Sequence, residues 1–198
     1  MVKQLINEIN LCLANECYFS ALTMALMLPD ICSRAEFPTL EDKVGKRYKR
    51  WFDRHIGKWE RSPKVKGVSM PCLTGEVVYS LRCSMLHQGT PNITKSKIKN
   101  PKCQIDDFVL VIDKEKEFDT YVDSAGIIER MLPDGTIETT RRYRVNVRRL
   151  CMIITTVATH YYENNAEKFD FMNFSLMDWD LELAKMKSVG LLTESEEF

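Results

Sequence analysis

The chain has 198 residues, 44% of them hydrophobic, and its 28 basic and 28 acidic side chains cancel. That is enough material for one domain with a sizeable core, and the charge balance excludes a uniformly basic nucleic-acid binder: a polyanion would have to meet a local patch. Seven cysteines, at positions 12, 17, 32, 72, 83, 103 and 151, form no CxxC pair, and free thiols in a reducing compartment are expected.

The N-terminal stretch MVKQLINEIN lacks the basic and apolar regions of a signal peptide. The apolar run over 17–28 is too short to cross a bilayer, so a cytoplasmic protein without membrane contact is expected. No proline or glycine interrupts residues 2–28. Leu5, Ile9, Leu13 and Glu16, then Tyr18, Leu22, Ala25 and Leu26, follow helical spacing. The pattern predicts one long helix or two collinear ones ending near Pro29. Glu16 is either a partner for Arg82 or a carboxylate on the exposed edge. Residues 29–38, PDICSRAEFP, read as a connection bounded by prolines.

A second helix is predicted from a capping-box-like start at Thr39 and Asp42 to a stop near Gly57. Val44, Tyr48, Trp51, Phe52 and His55 make its apolar stripe, which marks His55 as a satisfied core or boundary histidine. The other face carries Lys46, Arg47, Lys49, Arg50 and Arg54. It is either a solvated face or, with Tyr48 and Trp51 interleaved, a track for single-stranded RNA contacted by Arg47 and Arg50. A loop with Pro63, Gly67 and Pro71 follows.

The stretch 74–91, TGEVVYSLRCSMLHQGTP, has the strongest boundaries in the chain. Thr74 is a good N-cap, Gly89 and Pro91 a good stop, and a helix over 75–88 is predicted. Val78, Leu81 and Met85 line one side, Tyr79, Cys83 and Leu86 another. Such a helix is central to a bundle or shared with a partner subunit. Arg82 and His87 are five steps apart, roughly 140° around the helix, and are expected to flank a groove without touching. A permanent cation and a titratable imidazole beside one cleft suit phosphodiester chemistry.

The segment NITKSKIKNPK reads as an exposed loop. It is either solubilising or, through Lys97 and Lys99, RNA-gathering. From Phe108 the pattern turns extended: FVLVI as a buried run, then GIIERML and TIETTRRY around a Pro133-Asp134-Gly135 hairpin turn. A small antiparallel β insertion over about 105–142 is predicted. Helix returns with Val147, Leu150, Cys151, Ile154, Ala158 and Tyr161. Arg141, Arg142, Arg144, Arg148 and Arg149 crowd its start and want an anion. Two partners fit: the acidic segment 113–119, or a phosphate backbone held by Arg141, Arg144 and Arg148. A final helix ending near Gly190 and an acidic tail close the chain.

LRCSMLHQG resembles the motif helix of the HEPN superfamily, in which an arginine, four to six residues and a histidine lie on one helix of a small bundle. Arg50 and His55 have the same spacing, but His55 belongs to an apolar stripe. Gly89 matches the small residue that follows the family's histidine, while Cys83 stands where an asparagine is common. The resemblance implies a mainly α fold, a HEPN-like bundle of four or five helices, and a single domain over residues 1–198 is expected; the antiparallel β-hairpin, which the family bundle does not require, is read as an insertion in it. It further implies a metal-independent endoribonuclease with Arg82 and His87 as catalytic residues and no cofactor. It would work as a homodimer through the motif helix, in a toxin-antitoxin or phage-defence setting with a cognate antitoxin or regulator. The alternative is a catalytically inactive HEPN-like module for dimerisation, RNA binding or regulation. Three scattered histidines give no metal-ligand spacing, and a Cys83–His87 dyad lacks a third orienting group.

Overall fold

The uninterrupted N-terminal run breaks at one residue. In the computed structural model, which describes residues 2–40, 43–60, 64–65, 68–91, 93, 98, 105–112, 123–172 and 177–190, helix α1 (Val2–Ala14) ends where Glu16 turns left-handed with φ of 59°. The Cys17 N–H reaches back to the Cys12 carbonyl at 2.8 Å, the bond of a Schellman stop. Helix α2 (Tyr18–Ala25) then packs on α1. The expectation of one long helix or a collinear pair is corrected: no proline or glycine is needed for the break.

Pro29 does not end a helix; it starts one. It occupies the first turn of α3 (Leu28–Glu36), where a missing N–H leaves no hydrogen bond unmade. The segment read as a connection is therefore helical. A short 3-10 turn, Pro38–Leu40, takes up Thr39, and α4 (Val44–His55) begins after Lys43 without a side-chain cap. The expected start at Thr39 is thus corrected; Asp42 lies outside the described residues. Tyr48, Trp51 and Phe52 are fully buried, as their spacing predicts, and each such side chain contributes roughly 1.5–3 kcal/mol through burial. Asp30 meets Arg47 and Glu36 meets Arg54, so partners ascend together and α3 and α4 run in the same direction.

A 3-10 turn, Gly57–Trp59, and the two-residue strands β1 (Lys64–Val65) and β2 (Val68–Ser69) lead to α5 (Gly75–Gln88). Strands β3 (Asp107–Val111), β4 (Ser124–Met131) and β5 (Ile137–Asn146) form a sheet in the order β3-β5-β4. The hairpin between β4 and β5 is antiparallel as expected, with Gly135 at φ of 82°. β3, however, pairs parallel to β5, Asp107 opposite Arg142 and Val111 opposite Asn146. The element is a mixed sheet, not an antiparallel insertion, and β3 is half-buried rather than a buried run.

β5 runs directly into α6 (Val147–Glu163), whose first turn is capped by Asn146 accepting from the Arg149 N–H at 3.0 Å. Val147, Leu150, Cys151, Ile154, Ala158 and Tyr161 are all buried, and α6 packs against α1, α2 and α3. The described residues are mainly helical with a small mixed sheet. Residues Met1–Lys168 form one compact unit and Phe169–Phe198 another. In the second, α7 (Trp179–Ser188) is capped by Asp178 and followed by Gly190 at φ of 71°, where the sequence places the stop. No helix among the described residues is long and apolar enough to cross a membrane.

Candidate functional site

α5 is fixed at both ends by the residues that announce it. Thr74 accepts from the Val77 N–H at 3.3 Å, and Gly89 closes the helix at φ of 63°. A second acceptor, Asp53 Oδ1, takes the Gly75 N–H at 2.6 Å. Burial raises the Asp53 carboxyl above its ordinary value, against the lowering effect of that bond. A Cβ on Gly75 would stand 2.4 Å from the Lys49 carbonyl oxygen, so this glycine permits α5 to meet α4 backbone to backbone.

Arg82 and His87 touch. Arg82 Nη1 lies 3.1 Å from His87 Nε2, which corrects the expectation of two groups facing each other across a groove: the long arginine side chain spans the angle that separates their Cβ atoms. A guanidinium only donates, so Nε2 accepts and the imidazole in this contact is neutral with its proton on Nδ1. Arg82 Nη2 donates to Asp30 Oδ2 at 3.3 Å, and Asp30 Oδ1 takes Arg47 Nη2 at 2.8 Å. His87 is exposed, while the Arg82 side chain is 17% exposed. Arg82 Nε is buried without a hydrogen-bond partner among the described residues.

Two tyrosines flank the site, Tyr48 from α4 and Tyr79 from α5 itself. The Tyr48 and Tyr79 rings are 5.2 Å apart, and the Tyr48 hydroxyl donates to the Leu26 carbonyl at 3.1 Å. Burial drives the Tyr48 phenol well up, with Arg82 pulling the other way. Tyr79 is raised by burial and then by Cys83 one turn away. Cys83 is thus engaged with a phenol.

The remaining predicted contacts divide. Arg47 is buried beside Asp30, which corrects its assignment to an exposed basic face; Arg50 is exposed, its guanidinium 4.8 Å from the Phe37 ring centroid. Arg141 pairs with Asp106 at 3.1 Å and Arg142 with Asp107. Arg148 donates to the Tyr18 hydroxyl at 3.0 Å and the Leu13 carbonyl at 3.3 Å. Arg149 bridges Glu60 at 2.7 Å and Asp123 at 2.6 Å. The arginine cluster is therefore largely spoken for within the fold, by Asp106, Asp107, Asp123 and Glu60. Arg144 is exposed. Lys97, Lys99 and the acidic segment 113–119 lie outside the described residues.

Glu16 is exposed and is not the partner of Arg82. That partner, Asp30, was hidden in a segment read as a connection; the signal for it is a proline followed by an acid, which opens a helix as readily as it follows one. His55 is a boundary histidine as expected, 2.7 Å from Glu36 and against Trp51. Cys12, Cys17, Cys32, Cys83 and Cys151 carry free thiols. Among the described residues no group of three or more His, Cys, Asp or Glu side chains is placed to hold a metal ion. No family model matches the chain, and no curated protein or solved structure matches it.

Proposed function

We propose that this chain is a metal-independent endoribonuclease of the HEPN type. The observation that carries the reading is the contact at 3.1 Å between Arg82 and His87 on one helix, with Arg82 braced by Asp30. A neutral imidazole nitrogen beside a guanidinium is a base placed next to an anion-binding group. The 2'-hydroxyl of a bound RNA gives its proton to His87 Nε2 as its oxygen attacks the adjacent phosphorus. Arg82 turns its Nη1 to the phosphate oxygens, where negative charge builds. The P–O5' bond breaks, the leaving 5'-oxygen takes the proton that His87 received, which restores the neutral imidazole, and a 2',3'-cyclic phosphate and a 5'-hydroxyl remain. A homodimer that apposes two α5 helices would supply a second pair, and a toxin or phage-defence role with a cognate antitoxin or regulator fits such an activity.

The second reading is a catalytically inactive HEPN-like module for dimerisation, RNA binding or regulation. Two observations favour it: Arg82 is already bonded to a carboxylate, and Cys83 stands beside Tyr79 rather than offering an amide to RNA. The deciding experiment incubates wild-type and His87→Ala protein with labelled single-stranded RNA and tRNA in EDTA and analyses the product ends. Cyclic-phosphate ends from the wild type alone support the enzyme. Cleavage that persists unchanged in His87→Ala sinks it, and RNA binding without turnover favours the silent module.

A further inference from the structure

A cavity of about 630 Å³ opens where α3, α4 and α6 all end, away from the α5 pair. Its walls are mostly carbon, although every lining residue but Val157 also carries a polar group, among them Glu36, His55, His160, Asn164 and Lys168. The size and the mostly apolar lining are those of a small-molecule site.

One wall is a built aromatic surface. The His55 ring lies 5.0 Å from Trp51 at an interplanar angle of 34°, and Tyr161 stands nearly edge-on to both, 5.8 Å from Trp51 and 5.3 Å from His55. Trp51 is fully buried, so His55 is the layer between it and the cavity. Glu36 Oε2 holds His55 Nε2 at 2.7 Å, which locks the ring in its plane. A ring pinned at its edge and backed by an indole is a platform on which a flat heterocycle stacks.

Where the three helices end, the half-buried Glu36 and the exposed Asn164 offer acceptors. Glu36 keeps further lone pairs after Arg54 and His55 are served. Asn164 spends its N–H donors on the His160 carbonyl at 2.7 Å and on the imidazole, leaving its amide oxygen. Three helix C-termini add partial negative charge to the same end. Donors on a ligand are therefore what this end selects. Lys168 and His160 are exposed as well; the Lys168 ammonium donates to Asn165 Oδ1 at 2.5 Å and keeps two further N–H donors for an anionic group.

We propose that this cavity binds a nucleoside phosphate, with an amino-bearing base on the His55 ring, its amino edge toward Glu36 and Asn164, and its phosphate at Lys168. The ligand is either a free mononucleotide or one nucleotide of an RNA strand; the chemistry is shared. The proposal does not depend on cleavage at Arg82 and His87, and binding is its readout.

Isothermal titration of the full chain with the 5'-monophosphates of adenosine, guanosine, cytidine and uridine tests it, followed by competition with single-stranded RNA. Saturable binding is expected for the three amino-bearing bases and at least about fivefold weaker binding for uridine monophosphate, whose base lacks an amino group. Val157→Trp, which fills the cavity, abolishes binding, and Lys168→Ala lowers nucleotide affinity to that of the nucleoside. Should Val157→Trp not fold, as judged by circular dichroism, Glu36→Gln and Asn164→Ala serve instead, each erasing the preference against uridine. Displacement by RNA identifies a strand nucleotide, and no displacement a free one. No saturable binding of any of the four, equal binding of uridine and cytidine monophosphates, or full binding in the filled variant overturns the proposal.

Discussion

Asp30 and Arg82, 52 residues apart in the chain, meet at 3.3 Å, while the other oxygen of the same carboxylate holds the buried Arg47 at 2.8 Å. One carboxylate thus joins α3, α4 and α5. Removing it leaves the Arg47 guanidinium, 9% exposed, without that partner in a site with little water. Asp30→Ala is expected to cost about 3 kcal/mol, the scale of a buried pair broken on one side, read from urea unfolding. Arg47→Met, which removes the buried charge and keeps the stem, is expected to cost less. If Asp30→Ala falls below the methionine variant in cost, the carboxylate is not what keeps Arg47 in place.

Backbone contact between α4 and α5 rests on Gly75. A Cβ there would stand 2.4 Å from the Lys49 carbonyl oxygen and 2.7 Å from its Cα, and backbone does not yield as a side chain does. Gly75→Ala is expected to destabilise by about 2–3 kcal/mol through overpacking. Gly89→Ala meets nothing within 4 Å and bears only the left-handed conformation at φ of 63°, a cost of about 1 kcal/mol. Equal midpoints for the two variants in chemical denaturation would show that the helices can separate without penalty.

The α1 stop makes the complementary case. Glu16 adopts φ of 59° without being glycine, and Glu16→Gly relieves that conformation at an exposed site. A gain of about 0.5–1 kcal/mol is expected, with the thermal midpoint as the measure. A loss would mean that the glutamate side chain contributes a contact outweighing its backbone cost.

What was legible in the sequence was local. Thr74 and Gly89 mark the ends of α5, and the stripe from Val147 to Tyr161 marks α6, because caps and 3.6-residue periodicity act within a few residues of themselves. Pro29 and Glu16 misled because each permits two readings: proline fits a first turn as well as a stop, and a polar non-glycine residue can turn left-handed. The parallel pairing of β3 with β5 and the union of Asp30 with Arg82 are set by distant chain, and periodicity carries no record of them. The motif pair itself was visible; the hand that holds its arginine was not.

The ribonuclease reading separates charge from geometry at Arg82. Lysine keeps the charge but presents one ammonium where the guanidinium reaches Asp30 and His87 with two nitrogens. Arg82→Lys is expected to fold and to lose about 10²-fold or more in RNA cleavage rate, in single-turnover assays at saturating protein. A variant as fast as wild type would reduce Arg82 to a brace for Asp30.

Asp123 tests whether burial or ion pairing rules the start of α6. Its carboxylate accepts from the Asn146 N–H at 2.9 Å, the Tyr143 hydroxyl at 3.2 Å and Arg149 at 2.6 Å. Even so, burial, the largest influence, raises it above the ordinary 3.8. A raised carboxyl binds its proton more tightly folded than unfolded, so its contribution is fully present below pH 3.8 and is lost as pH rises through the folded value. Asp123→Asn removes that titration and keeps an acceptor for the Asn146 N–H. Urea midpoints of the two proteins should therefore converge near pH 4, and the variant should gain on the wild type toward pH 7. Asp53 is raised in the same direction but is present in both proteins and cancels. If the variant instead loses ground as pH rises, the Arg149 ion pair outweighs the burial of its partner.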